Sequence, residues 1–313
     1  MSEKTTALLR KTPVICLVAG ICSFLWGSAF PFIKIGYDLF SIAADDTGSQ
    51  MLFAGIRFIL AGILAAIAGS FIRKKPLLPE KKDIAPIFIL SLFQTILQYF
   101  FFYIGMANTS GVKGSVIIGS SSFVAILVAS LVFRTEKLTV KKVIGSIIGF
   151  SGIIIINMQG LTDGTMKITG EGFVFLSTVA YAFSSCIMKK YSDRHDTFIL
   201  SSYQFIAGGI VMSAAGLLMN GHVSASGFSG IAVLLYLSFL SAAAYTLWSI
   251  LLKYNEVSSV SVFGFMNPMF GFILSAILLD ERSEATGIKG ILAIILVCIG
   301  IFIVNKNKTV AKS

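Results

Sequence analysis

Charge is what this chain has least of. Only 13% of its 313 residues are Asp, Glu, Lys or Arg, against 56% apolar ones, and the mean hydropathy is +0.87. So little polar surface cannot cover a soluble globule, and the composition describes a polytopic membrane protein. There are two histidines, His195 and His222, placed in predicted loops on opposite sides of the membrane. No HExxH, nucleophile elbow or phosphate loop accompanies them, so no catalytic group, metal or cofactor is expected. The four cysteines (Cys16, Cys22, Cys186, Cys298) lie inside apolar runs at spacings that suit neither a metal site nor a disulfide framework, and read as small packing residues. No polar connection is long enough to fold alone.

Carboxylates are absent where a relay would need them. Every acidic residue, from Glu3 to Glu284, lies in a tail, a loop or a helix edge. That leaves no buried acid at the midplane to bind a cation or pass a proton, which argues against proton antiport of quaternary ammonium drugs. The net charge of +10 would suit nucleic acid, but the basic residues sit in short loops between apolar runs, so the partner implied is the lipid bilayer.

What the chain does have is long apolar runs. A bilayer-spanning helix needs about 20 such residues, and barrels show only short alternating segments, so the fold class is all-α. Ten transmembrane helices are expected, near 13–38, 50–72, 84–107, 113–134, 141–159, 171–190, 197–219, 230–253, 258–280 and 287–305. The first run carries Trp26 and Pro31, lacks a small-residue cleavage site, and is expected to be retained. With ten spans, nineteen lysines and arginines fall on the side of the termini and four (Lys113, Lys167, Arg282, Lys289) on the other. That bias places both termini in the cytoplasm, at the inner cell membrane.

The segment 110–145 aligns with 255–290 without a gap: Gly119 meets Gly264, Glu136 meets Glu281 and Gly145 meets Gly290. AFPFIKIGYD (29–38) weakly matches AFSSCIMKKYSD (182–193). Two five-helix repeats follow, 13–160 and 170–305. An odd number of spans per repeat inverts the second relative to the first, the architecture of secondary transporters that open alternately to either side.

Several stretches resemble the drug/metabolite transporter superfamily in its EamA-type form: FLWGSAFPFIK (24–34), FAGIRFILAG (53–62), FFYIGMANTSGVKGSVI (101–117), GEGFVFLSTVAYAFSSCIMKK (170–190) and NPMFGFILSAILLDE (267–281). The resemblance covers nearly the whole chain. It implies a ten-helix bundle with a substrate cavity between the halves, walled mainly by helices three, four, eight and nine, and export of amino acids or related metabolites. Two departures stand out. Phe123 occupies the position that aligns with Pro268, so a kink is expected in one copy only, and Gly300 is three residues out of register with Gly152.

Candidate substrate-binding residues follow from chemistry that is expensive in hydrocarbon. Lys34 and Arg57 are the two cations inside predicted helices; either suits a substrate carboxylate, and either can instead snorkel to the headgroups. Gln94 and Gln98 share a helix face beside Tyr99 and Tyr103, a set able to hydrogen-bond and stack on a small polar solute, or to join helices. Ser121 and Ser122 offer hydroxyls or close packing. Tyr245 and Trp248 sit three apart, Asn267 precedes Pro268 where backbone is freed, and Trp26 either lines a cavity or packs over Gly27. Arg57 and Pro268 are gating or structural candidates. Glu136 and Glu281 are expected to terminate helices and cap the ones that follow.

The expected function is alternating-access export of a small metabolite, an amino acid or derivative, by a monomer, with a homodimer left open. Import, efflux of a drug or nucleotide-sugar, and a membrane-embedded lipid-handling scaffold or enzyme are the alternatives.

Overall fold

The computed structural model describes residues 3–43, 45–109, 114, 117–157, 167–224, 227–278 and 288–305. Regular structure among them is helical throughout: α1 (Glu3–Leu9), α2 (Thr12–Leu39), α3 (Thr47–Arg73), α4 (Lys81–Ser91), α5 (Gln98–Ala107), α6 (Ser121–Leu127), α7 (Val140–Asn157), α8 (Phe173–Ser192), α9 (Thr197–Leu218), α10 (Gly227–Tyr254), α11 (Val257–Ser261), α12 (Met266–Leu278) and α13 (Ile288–Asn305). Among the described residues, six stretches are long and apolar enough to cross a membrane: Thr12–Leu39, Thr47–Arg73, Lys81–Met106, Ile168–Ser192, Thr197–Leu218 and Gly227–Tyr254. The other expected spans correspond to shorter or interrupted helical segments. Large side chains such as Phe71, Leu218 and Phe228 are exposed, which water would penalise and lipid does not. This is a multi-pass membrane protein.

Helix ends follow local chemistry. The Asp46 carboxylate accepts from Ser49 N at 2.9 Å to start α3, and the hydrogen bonds from Ser49 hold its carboxyl below the usual range. Lys74, at φ 54°, ends that helix in the left-handed conformation. Glu80 and Asp83 form a capping box on α4, and Asp196 caps α9 by accepting from Phe198 N at 2.8 Å. Among the described residues, π-helical turns at Leu92–Leu97 and Val128–Val132 fall inside what hydropathy reads as uniform spans, and another, Ile168–Gly172, leads into α8.

The most intimate pairing is α3 against α9. Along α3, Gly48, Gly55, Gly62 and Gly69 recur every seven residues, and Ser202, Gly209 and Gly216 do the same on α9. A seven-residue repeat keeps one stripe facing a partner, and small residues let the backbones approach. A Cβ on Gly55 would come within 2.6 Å of Ser213 N, and one on Gly216 within 2.6 Å of Leu52 N. Likewise α7 lies on α13, where a Cβ on Gly300 would come within 2.5 Å of Gly145 O. Gly300 is thus out of sequence register with Gly152 because it packs against Gly145 and Gly149 instead. Helix α2 packs on α10 and α12, and α8 on α5 and α6.

Pro268 does not kink the middle of a helix. It stands in the first turn of α12, directly after the 3-10 turn Val262–Phe265, and a proline there forfeits no intrahelical donor. Glu281 lies outside the described residues.

Candidate functional site

Five helices meet around one aromatic cluster. Trp26 of α2 packs edge-on against Tyr245 and Trp248 of α10, with ring centroids 5.0 and 4.9 Å away. Tyr245 meets Phe205 of α9 at 5.0 Å, Phe205 stacks on Phe58 of α3 at 5.2 Å, and Phe58 meets Tyr99 of α5 at 4.6 Å. The Tyr99 and Tyr245 hydroxyls are 3.0 Å apart, and Tyr103 lies beside Tyr99. The Trp26–Gly27 pair is resolved into two jobs. Phe270 of α12 fills the gap at Gly27, where a Cβ would fall 2.4 Å from the Phe270 Cβ, while the Trp26 indole turns into the cluster.

Arg57 borders this cluster and is 3% exposed. Its guanidinium sits 4.5 Å from the Phe58 ring centre and within electrostatic reach of the Tyr37, Tyr99 and Tyr245 hydroxyls. No carboxylate pairs with it among the described residues, and its Nε is buried without an acceptor. An unpaired buried charge costs roughly 3–5 kcal/mol, and ring-face attraction offsets only about 1–2 kcal/mol of that. Of the two alternatives left open for Arg57, the structure shows the side chain buried in the bundle instead of reaching outward to the headgroups. Lys34 is the opposite: it is exposed on α2 and does not join the cluster.

Other buried polar atoms around the cluster lack a well-formed hydrogen bond: Trp26 Nε1 and Gln98 Oε1, together with Trp248 Nε1 and Tyr37 Oη, which come near the hydroxyls of Tyr181 and Tyr103 without good bonding geometry. Gln98 lies beside Tyr245, and Trp248 beside the Tyr181 hydroxyl. Buried polar groups are normally satisfied, so each of these unpaired atoms is costly where it stands. Gln94 is buried within the π turn, its Oε1 also orphaned, next to the Thr95-to-Gln204 hydrogen bond of 2.7 Å. Ser122 lies against Gly264 with an orphan Oγ, Ser121 is half-buried, and Asn267 is half-buried with an orphan Oδ1.

Glu136 works elsewhere. Its side chain, 2% exposed, accepts from Ser258 N at 3.0 Å and Ser258 Oγ at 2.9 Å, and Lys142 Nζ lies 3.4 Å away while reaching Glu256 at 3.1 Å. Burial pushes its carboxyl above the usual range, against the pull of Lys142 and Ser258. The helix it caps is α11, not the α7 that follows it in sequence.

A known family matches each half of the chain. The EamA-like transporter family matches residues 13–158 and again 168–306. The chain belongs to the EamA-like transporter family. It is 27% identical over 303 residues to an uncharacterized transporter of Archaeoglobus fulgidus, covering 94% of this chain and 96% of the other. Against the uncharacterized transporter YvbV of Bacillus subtilis the identity is 28% over 292 residues, covering 92% and 90%. A probable amino-acid metabolite efflux pump of Escherichia coli is 24% identical over 309 residues, covering 94% of each. A solved crystal structure shares the fold with a TM-score of 0.75, over 96% of this chain and 99% of that one, at 14% identity.

For this EamA-like chain, sequence reasoning found Trp26, Arg57, Gln98, Tyr99, Tyr103, Tyr245 and Trp248, which the fold brings together. It missed Tyr37, Phe58, Tyr181 and Phe205. Phe58 was legible as the neighbour of Arg57 inside FAGIRFILAG. Phe205 and Tyr181 carry no local signal in a sequence with 27 phenylalanines and nine tyrosines.

Proposed function

We propose that this EamA-like protein exports a small metabolite, an amino acid or a derivative of one, from the cytoplasm across the cell membrane by alternating access. In this reading ten spans form two inverted repeats with both termini inside, and the aromatic cluster with its orphan polar groups is the solute site. One observation carries it: the packing partners exchange when the halves are exchanged. If α2 corresponds to α8, α3 to α9, α5 to α10, α6 to α11–α12 and α7 to α13, then α3 and α7 each pack on their own counterparts. The contacts of α2 with α10 and α12 become those of α8 with α5 and α6. Such pseudo-symmetry lets two halves trade conformations around a site built from both, and here α2, α3 and α5 of one half face α9 and α10 of the other. The name of the E. coli relative supports the solute class.

Purified protein in liposomes loaded with labelled amino acids and related metabolites tests the reading. Saturable efflux or exchange without chemical change of the solute is expected. Product formation without flux would sink it. Overexpressing cells should tolerate toxic amino-acid analogues better than control cells; raised accumulation of an external solute would reverse the direction.

A further inference from the structure

We propose that the solute site of this protein is selective for a carboxylate attached to an apolar body, and that Arg57 is the group that binds the carboxylate. The inference rests on the transport reading only in calling the ligand a solute. Its basis is a missing partner. Arg57 is buried, its guanidinium has only the Phe58 ring beneath it, and no acid pairs with it among the described residues. A guanidinium so placed is stable when an anion completes it, and its planar fork matches a carboxylate in two parallel hydrogen bonds.

The surroundings specify the rest of the ligand. The Tyr99 and Tyr245 hydroxyls, paired at 3.0 Å and within electrostatic reach of Arg57, are neutral donors that can turn toward a second carboxylate oxygen. Trp26, Phe58, Phe205 and Trp248 offer ring faces and edges to an apolar body. The amide oxygen of Gln98, unpartnered beside Tyr245, is a neutral acceptor that tolerates an ammonium on the same ligand without requiring one. A net cation meets only the Arg57 charge and is repelled. The ranking that follows is anion or zwitterion first, neutral amide second, amine last.

The protein carries its own reporter. Its two tryptophans are Trp26 and Trp248, 4.9 Å apart in the cluster, so the intrinsic tryptophan emission of the full chain reads this place alone. Purified protein in lipid nanodiscs is titrated with 3-phenylpropionate, 3-phenylpropanamide and 3-phenylpropylamine, with butyrate and 4-methylpentanoate as smaller carboxylates. A saturable emission change is expected with a carboxylate, at least tenfold weaker with the amide and absent with the amine. Arg57→Gln should weaken carboxylate binding at least tenfold and leave the amide within about threefold, whereas Lys81→Gln, at an exposed helix start, should change neither. Arg57→Lys should fall between.

Equal affinity for carboxylate and amide, or silence with every carboxylate, overturns the proposal. If Arg57→Gln does not fold, the wild-type ranking and Arg57→Lys decide it alone. Arg57-dependent binding without flux in liposomes would refute the transport reading and leave this one standing. Flux of a solute that lacks a carboxylate, unchanged in Arg57→Gln, would do the reverse.

Discussion

The hydroxyls of Tyr99 and Tyr245 lie 3.0 Å apart, joining α5 to α10 across 146 residues of sequence. In a low-dielectric interior each is the other's partner, so removing one strands the other. Tyr99→Phe and Tyr245→Phe should each cost about 1–3 kcal/mol, and the double variant clearly less than the sum. Thermal unfolding in one detergent checks this; strict additivity would mean that the pair does not interact.

The glycine stripe makes a signed prediction. Gly55→Ala puts a methyl against the α9 backbone and should lower stability by about 1–3 kcal/mol. Gly20→Ala, with nothing within 4 Å, should leave stability unchanged or raise it by up to about 1 kcal/mol through helix propensity. A matched pair of melting curves decides, and a shift of the same size and sign in both would remove the close-packing argument.

Glu136 should make stability pH-dependent. Its folded-state carboxyl is raised, so the folded form binds its proton more tightly than the unfolded chain. The stabilisation from that proton is complete below the unfolded value near 4.5 and is lost as pH rises through the raised one. Glu136→Gln keeps a hydrogen-bonding side chain but cannot titrate. The melting temperature of wild type relative to Glu136→Gln should therefore increase as pH falls from 7 to 5; a flat difference would count against burial as the dominant influence.

Orientation is testable with impermeant thiol reagents. Of the four native cysteines, Cys22 and Cys186 are fully buried and should stay unlabelled, whereas Cys16 and Cys298 are exposed on α2 and α13 and are replaced by serine before labelling. Asp45→Cys is expected to label in intact cells, and Lys75→Cys only after lysis. Labelling of both from the same side would contradict the proposed topology.

Much of the molecule was readable before any coordinates. Hydropathy pointed to the long helices because lipid demands apolar runs, and local chemistry inside those runs singled out Arg57 by its charge, Tyr99 by its place on the glutamine face, Tyr245 and Trp248 by their spacing and Trp26 by its neighbouring glycine. The α3–α9 stripe was also present as glycines seven residues apart, a local period that hydropathy windows average away.

Other features depend on neighbours far away in sequence. Lys34 and Arg57 are two cations in apolar helices, equivalent on any insertion scale, yet one is exposed and the other enclosed. Glu136 meets Ser258 across 122 residues instead of the helix beside it. The sequence by itself determined that this chain spans membranes as helices and which scarce polar groups enter them, since the cost of burying each group is local. Which of those groups are left facing one another without partners was decided only by tertiary packing, because helix rotation and crossing are set by glycines and rings on other helices.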